Sequence, residues 1–333
     1  LRRLQYLYQD LPVDARTHIL QMHLALAETH CDAIWPMLPD LLIEFDSGNS
    51  DSRLVAADLL CALVRQSDDG STVVEHLVRW SASQPREPQR QRSWFDPRES
   101  VMHPPLTDAP PTGILGVAQV IARIAEETPD AVAAHATALV ASLATWESTR
   151  EDQWPRSHLA RALAAVARQH PQTIAPTAAG IVTLLDDDSE FVRYWAAQTL
   201  VAVYPYRADA IAPPVLEKLL TDTNPDIRNL GAELAIGCIT DGIVAATTVV
   251  EGLLEALSDD TELGTRRTLH ILNSVDHIEP DAIQPVQSIL ADSLDDPRTA
   301  DDAAAIIETL VETNPEAVTE IVPTLVDCLF PAS

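Results

Sequence analysis

The sequence predicts an all-α protein built as a stack of two-helix units, an α-solenoid. Three observations carry the prediction. Apolar residues recur at helical spacing along the chain, and no strand-type alternation of any length interrupts them. A helix-sized segment recurs, and the turn and second helix that follow it recur as well. Hydrophobic residues make up 46% of the chain but aromatics only 5%, a balance that suits close helix–helix contact through small side chains.

Taken in order, Leu1 to Tyr8 is a first helix, "DLPVD" a turn, and "ARTHILQMHLALAETH" from Ala15 its partner. The next first helices read "DAIWPMLPDLLIEF" from Asp32, "DAVAAHATALVASL" from Asp130, "QTIAPTAAGIVTLL" from Gln172 and "DAIAPPVLEKLL" from Asp209. "DAIQPVQSILADSL" from Asp281 and "EAVTEIVPTLVDCL" from Glu316 continue the series. Their third residues are Ile34, Val132, Ile174, Ile211, Ile283 and Val318, and Val74 and Val249 fill the same slot in weaker copies. Successive members lie 34 to 42 residues apart except for one step of 58, from Val74 to Val132. An insertion explains the long step. The last segment, Glu316 to Leu329, is expected to end the chain as an unpaired helix.

Each copy follows a physical logic. An Asp, Thr or Pro ahead of the helix caps it or occupies its first turn. Apolar residues such as Ile174, Ile181, Leu184 and Leu185 then form a stripe. An acidic turn ends that helix and begins a partner whose stripe is Val192, Ala196, Leu200 and Val203. Neither helix can bury its stripe alone, so the units must stack.

The junctions resemble one another as closely as the helices do. "DDDSEFVRYWAAQTL" from Asp186, "SGNSDSRLVAADLLCAL" from Ser47, "DTNPDIRNLGAELAIG" from Asp222 and, less closely, "DDTELGTRRTLHIL" from Asp259 share one plan. Three adjacent aspartates suggest a cation site, but a pattern that recurs four times is architecture. At these residues the chain resembles the HEAT-repeat family over nearly its whole length. That family places an aspartate in the turn and an arginine six residues later, and the two build a ladder between neighbouring repeats. Asp187 and Arg193, Asp222 and Arg228, and Asp260 and Arg266 keep the spacing, whereas Ser47 precedes Arg53 and Arg150 precedes Arg156. The resemblance implies a right-handed α-solenoid of roughly eight two-helix repeats. Residues 1–80 and 113–333 would form one continuous array, interrupted by residues 81–112.

Charge bounds the partners. There are 50 acidic residues against 22 basic ones, a net charge of −28, and Lys218 is the lone lysine. A cationic surface able to hold nucleic-acid phosphates is hard to assemble from this set. An acidic surface could steer a basic partner. Alternatively, acids spread along the chain with almost no lysine resemble the composition of haloarchaeal proteins, where at about 1 M salt the Debye length is only ~3 Å. No signal peptide and no apolar run long enough to span a membrane is visible, so a cytoplasmic location is the expectation. Cys31, Cys61, Cys238 and Cys328 are far apart, which predicts buried small hydrophobes and no disulfide framework.

Catalytic constellations do not assemble in the sequence. Deoxyhypusine hydroxylase shares this kind of architecture and takes its iron ligands from His-Glu dipeptides, and none of the ten histidines here is followed by Glu. No nucleophile elbow, P-loop or G-x-G-x-x-G opens a helix. The expectation is a non-catalytic scaffold that grips a protein partner, without cofactor or metal. The alternative is an enzyme or enzyme-maturation factor of the repeat-lyase type. Two regions are candidates for partner contact. In the insertion, which holds seven prolines, Arg90, Arg92 and Arg98 flank Trp94 and Phe95. Arginines and aromatics dominate interface hot spots. On the second helix of the Asp187 copy, Tyr194 and Gln198 point away from the apolar stripe, on the face that the resemblance makes the default binding surface.

Overall fold

A computed structural model describes residues 8, 11–31, 34–47, 50–67, 69–83, 113–146, 153–211, 213–244, 269, 272–273, 287–294 and 296–313. All regular elements among these residues are helices. They fall into two compact units, Leu1–Tyr206 and Arg207–Ser333.

In the first unit the second helices of successive repeats are α1 (Val13–Ala27), α3 (Ser50–Gln66), α5 (Gly113–Glu127), α8 (Gln153–Gln169) and α11 (Glu190–Val203). Each packs on the next, so the five form one layer. The first helices form the other layer: α2 (Leu38–Ser47), α4 (Gly70–Ser83), the pair α6 (Pro129–Ala133) and α7 (Ala136–Thr145), and the pair α9 (Pro171–Ile174) and α10 (Ala178–Thr183). The repeat slot named above is the seam between the layers. Ile34, Val74, Val132 and Ile174 are each at most 1% exposed. From the partner helix, Val192, Ala196, Leu200 and Val203 are buried against it. Burying a leucine or isoleucine side chain in this way contributes ~1.5–3 kcal/mol.

Two features of this unit depart from uniform helix pairs. The segment from Pro171 to Asp186 is not one helix: 3₁₀ turns at Ala175–Thr177 and Leu184–Asp186 flank α10. Pro176 lacks an N–H and cannot continue an α-helical ladder. A 3₁₀ turn around Pro36, Trp35–Met37, likewise precedes α2. The second feature is the insertion. α4 runs to Ser83, with Ser81 buried and donating from Oγ to Val78 O at 2.8 Å, and α5 begins at Gly113. α4 and α5 pack on each other, so the stack carries on across the inserted sequence. Arg90, Arg92, Trp94, Phe95 and Arg98 lie outside the described residues, as do Asp260, Arg266, Val249, Ile283, Val318, Cys328 and the expected last helix.

The first repeat interface holds a buried charged cluster. Glu44 is fully buried, accepts from Tyr8 Oη at 3.0 Å, and faces Arg16 Nε at 3.4 Å. Burial and the Glu44 carboxylate both push the Tyr8 phenol well above its ordinary range, so it stays a neutral donor.

In the second unit α12 (Pro213–Leu220) packs on α13 (Pro225–Thr240), and α14 (Gln287–Ser293) on α15 (Ala300–Thr313). Asn224 caps α13 by accepting from Asp226 N, with Pro225 in the first turn. Ile211 is 1% exposed, as its place in the series predicts. A Cβ on Gly231 would lie 2.8 Å from Leu219 Cβ and 3.0 Å from its backbone, so α12 and α13 approach at a distance only glycine permits.

Candidate protein-binding face of the second-helix layer

The turn acids are occupied in holding repeats together. Asp187 is buried, and its Oδ1 accepts from Ser189 N at 2.9 Å, closing a tight turn ahead of α11. Its Oδ2 forms an ion pair with Arg156, which lies one repeat earlier at the start of α8. This is the inter-repeat rung that the family resemblance implied. The arginines also share a second task. Arg156 donates to Trp146 O at 3.0 Å, Arg53 to Glu44 O at 3.3 Å, and Arg193 to Asp187 O at 2.9 Å, while Arg228 donates to Asp222 O. Each therefore satisfies carbonyls where its own repeat's first helix ends, groups that no helical N–H can reach.

Along the layer itself, charge links one helix to the next. Asp58 on α3 accepts from Arg123 on α5 at 2.6 Å, and Arg65 on α3 meets Glu127 on α5 at 2.8 Å. Glu126 on α5 meets Arg161 on α8 at 2.6 Å, and the Arg161 guanidinium sits 5.9 Å from the Trp195 ring centroid on α11. Burial disfavours the Arg123 charge, but the hydrogen bonds it donates to Asp58 and Glu127 outweigh this and raise its pKa.

Beside this line of pairs lies an aromatic patch. Tyr194 and Gln198 are both half-buried on α11, and Gln198 Nε2 donates to Tyr194 Oη at 3.1 Å. The Tyr194 ring meets Trp195 edge to face at 5.0 Å, and Trp195 itself is 4% exposed and belongs to the core. Half-buried Trp154 on α8 and Phe191 on α11 stack with centroids 5.2 Å apart. Trp154 and Phe191 each stand two residues before their repeat's turn arginine, Arg156 and Arg193. The repeat register thus brings them together. The sequence reading singled out Tyr194 and Gln198 and missed Trp154 and Phe191, although the shared register was the available signal.

Several other polar and titratable groups have local roles. Among the described residues, no three His, Cys, Asp or Glu side chains gather as metal ligands. His135 Nε2 lies 2.9 Å from Ser71 Oγ, and His170 Nε2 lies 2.9 Å from Asp130 Oδ1. Burial pushes the Cys61 thiol up to about 12, which keeps it protonated and unreactive at neutral pH. Cys31, Cys61 and Cys238 take part in no disulfide. No helix among the described residues is long and apolar enough to cross a membrane.

Comparison with known proteins agrees with this architecture. Residues 137–237 match the family model for HEAT repeats. The crystal structure of an engineered protein aligns with a TM-score of 0.52 at 19% identity, covering 99% of this chain and 84% of that one. Kap121p in its crystal structure with RanGTP aligns with a TM-score of 0.59 at 14% identity, covering 99% of this chain and 36% of that one. No curated protein matches the sequence. The fold is that of the armadillo and HEAT α-solenoids. The matched residues 137–237 contain the whole patch on α8 and α11.

Proposed function

We propose that this chain is a non-catalytic scaffold whose second-helix layer binds a protein partner, with Trp154, Phe191, Tyr194 and Gln198 as the anchor. One observation carries the reading. In a chain with 5% aromatics, half-buried aromatic side chains of two successive repeats converge at one place on the layer. Half-buried aromatic residues beside a committed arginine are the composition of interface hot spots. Kap121p, a solenoid of similar fold, is one whose crystal structure contains a protein, RanGTP. A second contact is proposed from sequence for Arg90, Arg92, Trp94, Phe95 and Arg98, because guanidinium stacking on aromatic groups is short-ranged and survives salt. Residues 1–80 and 113–333 would then act as one continuous array with this segment as an arm. The acid-rich composition supports a protein working in concentrated salt without nucleic acid as a partner, and a cytoplasmic location is proposed with it.

The test is affinity capture from a lysate in molar KCl, using the full chain and its Tyr194→Ala/Gln198→Ala variant. Both positions are half-buried, so the variant is expected to fold and to lose the partner that the parent recovers. Recovery of the same partner at the same yield contradicts the reading. Replacing residues 84–112 with a short Gly/Ser linker reads the contribution of the arginine-rich segment separately.

A further inference from the structure

At the far end of α3 from its turn arginine, the structure opens a cavity of about 660 Å³. Its walls come from three segments: Cys31 and Trp35 ahead of α2, Gln66 at the last residue of α3, and Asp69 just ahead of α4 with Thr72 and His76 in its first half. The walls are held by local bonds. Cys31 Sγ donates to Gln66 O at 3.6 Å, Asp69 N to Ser67 Oγ at 3.1 Å, and Thr72 N to Asp69 O at 3.0 Å. The functional groups facing the space are left over. Among the described residues, the side chains of Gln66, Asp69, Thr72 and His76 make no hydrogen bond or ion pair.

What remains is a set of acceptors around an aromatic ring. Asp69 offers a carboxylate, Gln66 an amide oxygen, Thr72 a hydroxyl and His76 an imidazole nitrogen. Trp35 supplies the ring most favourable to a cation. Among the described residues, no arginine or lysine lines the cavity. The carbonyl end of α3 adds partial negative charge, and the chain as a whole carries −28. A planar donor with a delocalised positive charge, able to stack on Trp35 and donate to several acceptors, satisfies this set; an anion would meet repulsion, and an apolar group would strand the acceptors.

We propose that this cavity receives the guanidinium of an arginine side chain presented by a partner protein. The inference rests on the protein-binding reading and names what one part of that partner looks like. It adds a contact separate from those proposed above, at the Gln66 end of α3.

The probe is a fluorescent acetylated tri-arginine amide, with its tri-citrulline counterpart as the neutral control. Both are titrated into the full chain in 1 M KCl, where diffuse attraction to the acidic surface is screened within ~3 Å. The arginine peptide is expected to bind and the citrulline peptide not. Asp69→Asn, at an exposed position where folding should be unaffected, is expected to weaken binding by about fivefold, as is Trp35→Leu. Asp51→Asn, an exposed acid at the opposite end of α3, is expected to leave binding unchanged. The proposal is overturned if Asp69→Asn binds as the parent does, if Asp51→Asn weakens binding equally, or if citrulline binds as well as arginine. Since the assay needs no natural partner, its failure removes the cavity contact alone. Capture by the Tyr194 variant decides the helix-face reading independently.

Discussion

His158 sits in the middle of α8 with 2% of its surface exposed, and its Nδ1 is buried without a hydrogen-bond partner. Burial, aided by the nearby Arg161 charge, lowers its pKa from 6.5 to about 4. In the unfolded chain the imidazole takes up a proton near its ordinary value, whereas the folded state resists until about 4. The unfolded state therefore binds more protons across that window, and stability must fall as pH drops through it. The contribution is on the order of 3 kcal/mol once both transitions are passed. Denaturant melts between pH 7 and pH 4 on the parent and a His158→Leu variant check this. The variant should lose less stability over the window, and an identical slope would contradict the assignment. This behaviour was not legible in the sequence, because nothing local marks His158 as more enclosed than His170 twelve residues on. Tyr194 was legible because its position on α11 follows from the 3.6-residue period. The cavity beside Trp35 was not, since it is built from three segments that only the stacking of α2, α3 and α4 brings together.

At the scale of elements, the helix pairs and their seam could be read from recurrence alone. The slot containing Ile34, Val74, Val132, Ile174 and Ile211 is buried wherever it is described, because a helix pair has only one side on which an apolar stripe can be hidden. The splitting of the Gln172 segment into short helices and 3₁₀ turns followed less directly, since a proline in the first turn and one a turn later look alike in the sequence. Packing of the first-helix layer depends on local shape in the same way. A Cβ on Gly180 would come within 2.5 Å of Val140 Cγ1, a contact between α10 and α7 that the repeat pattern does not announce. Because each helix pair touches only its neighbours, damage should stay local. Leu200→Ala, at a fully buried position of α11, is expected to cost ~2–5 kcal/mol. Hydrogen exchange should then accelerate in α8 and α11 and remain near its parental rate in α1 and α3. Equal acceleration in all four helices would contradict nearest-neighbour coupling.

For the whole molecule, the balance of charges and the repeat architecture divide the work. Acids in the turns serve the junctions, as Asp187 does with Arg156, and charge pairs such as Asp58–Arg123 and Glu126–Arg161 tie the second-helix layer together. On the proposed reading, the aromatic residues mark where that layer meets a partner. The claim that they do so is tested most directly by hydroxyl-radical footprinting of the full chain, free and with its captured partner, in molar KCl. Oxidation of aromatic side chains reports their exposure one residue at a time. Tyr206, which is 47% exposed and outside the patch, serves as the internal reference. Binding should protect Trp154, Phe191 and Tyr194 while Tyr206 is oxidised as before. Unchanged oxidation of Trp154, Phe191 and Tyr194 in the complex would contradict the assignment of the second-helix layer as the binding face.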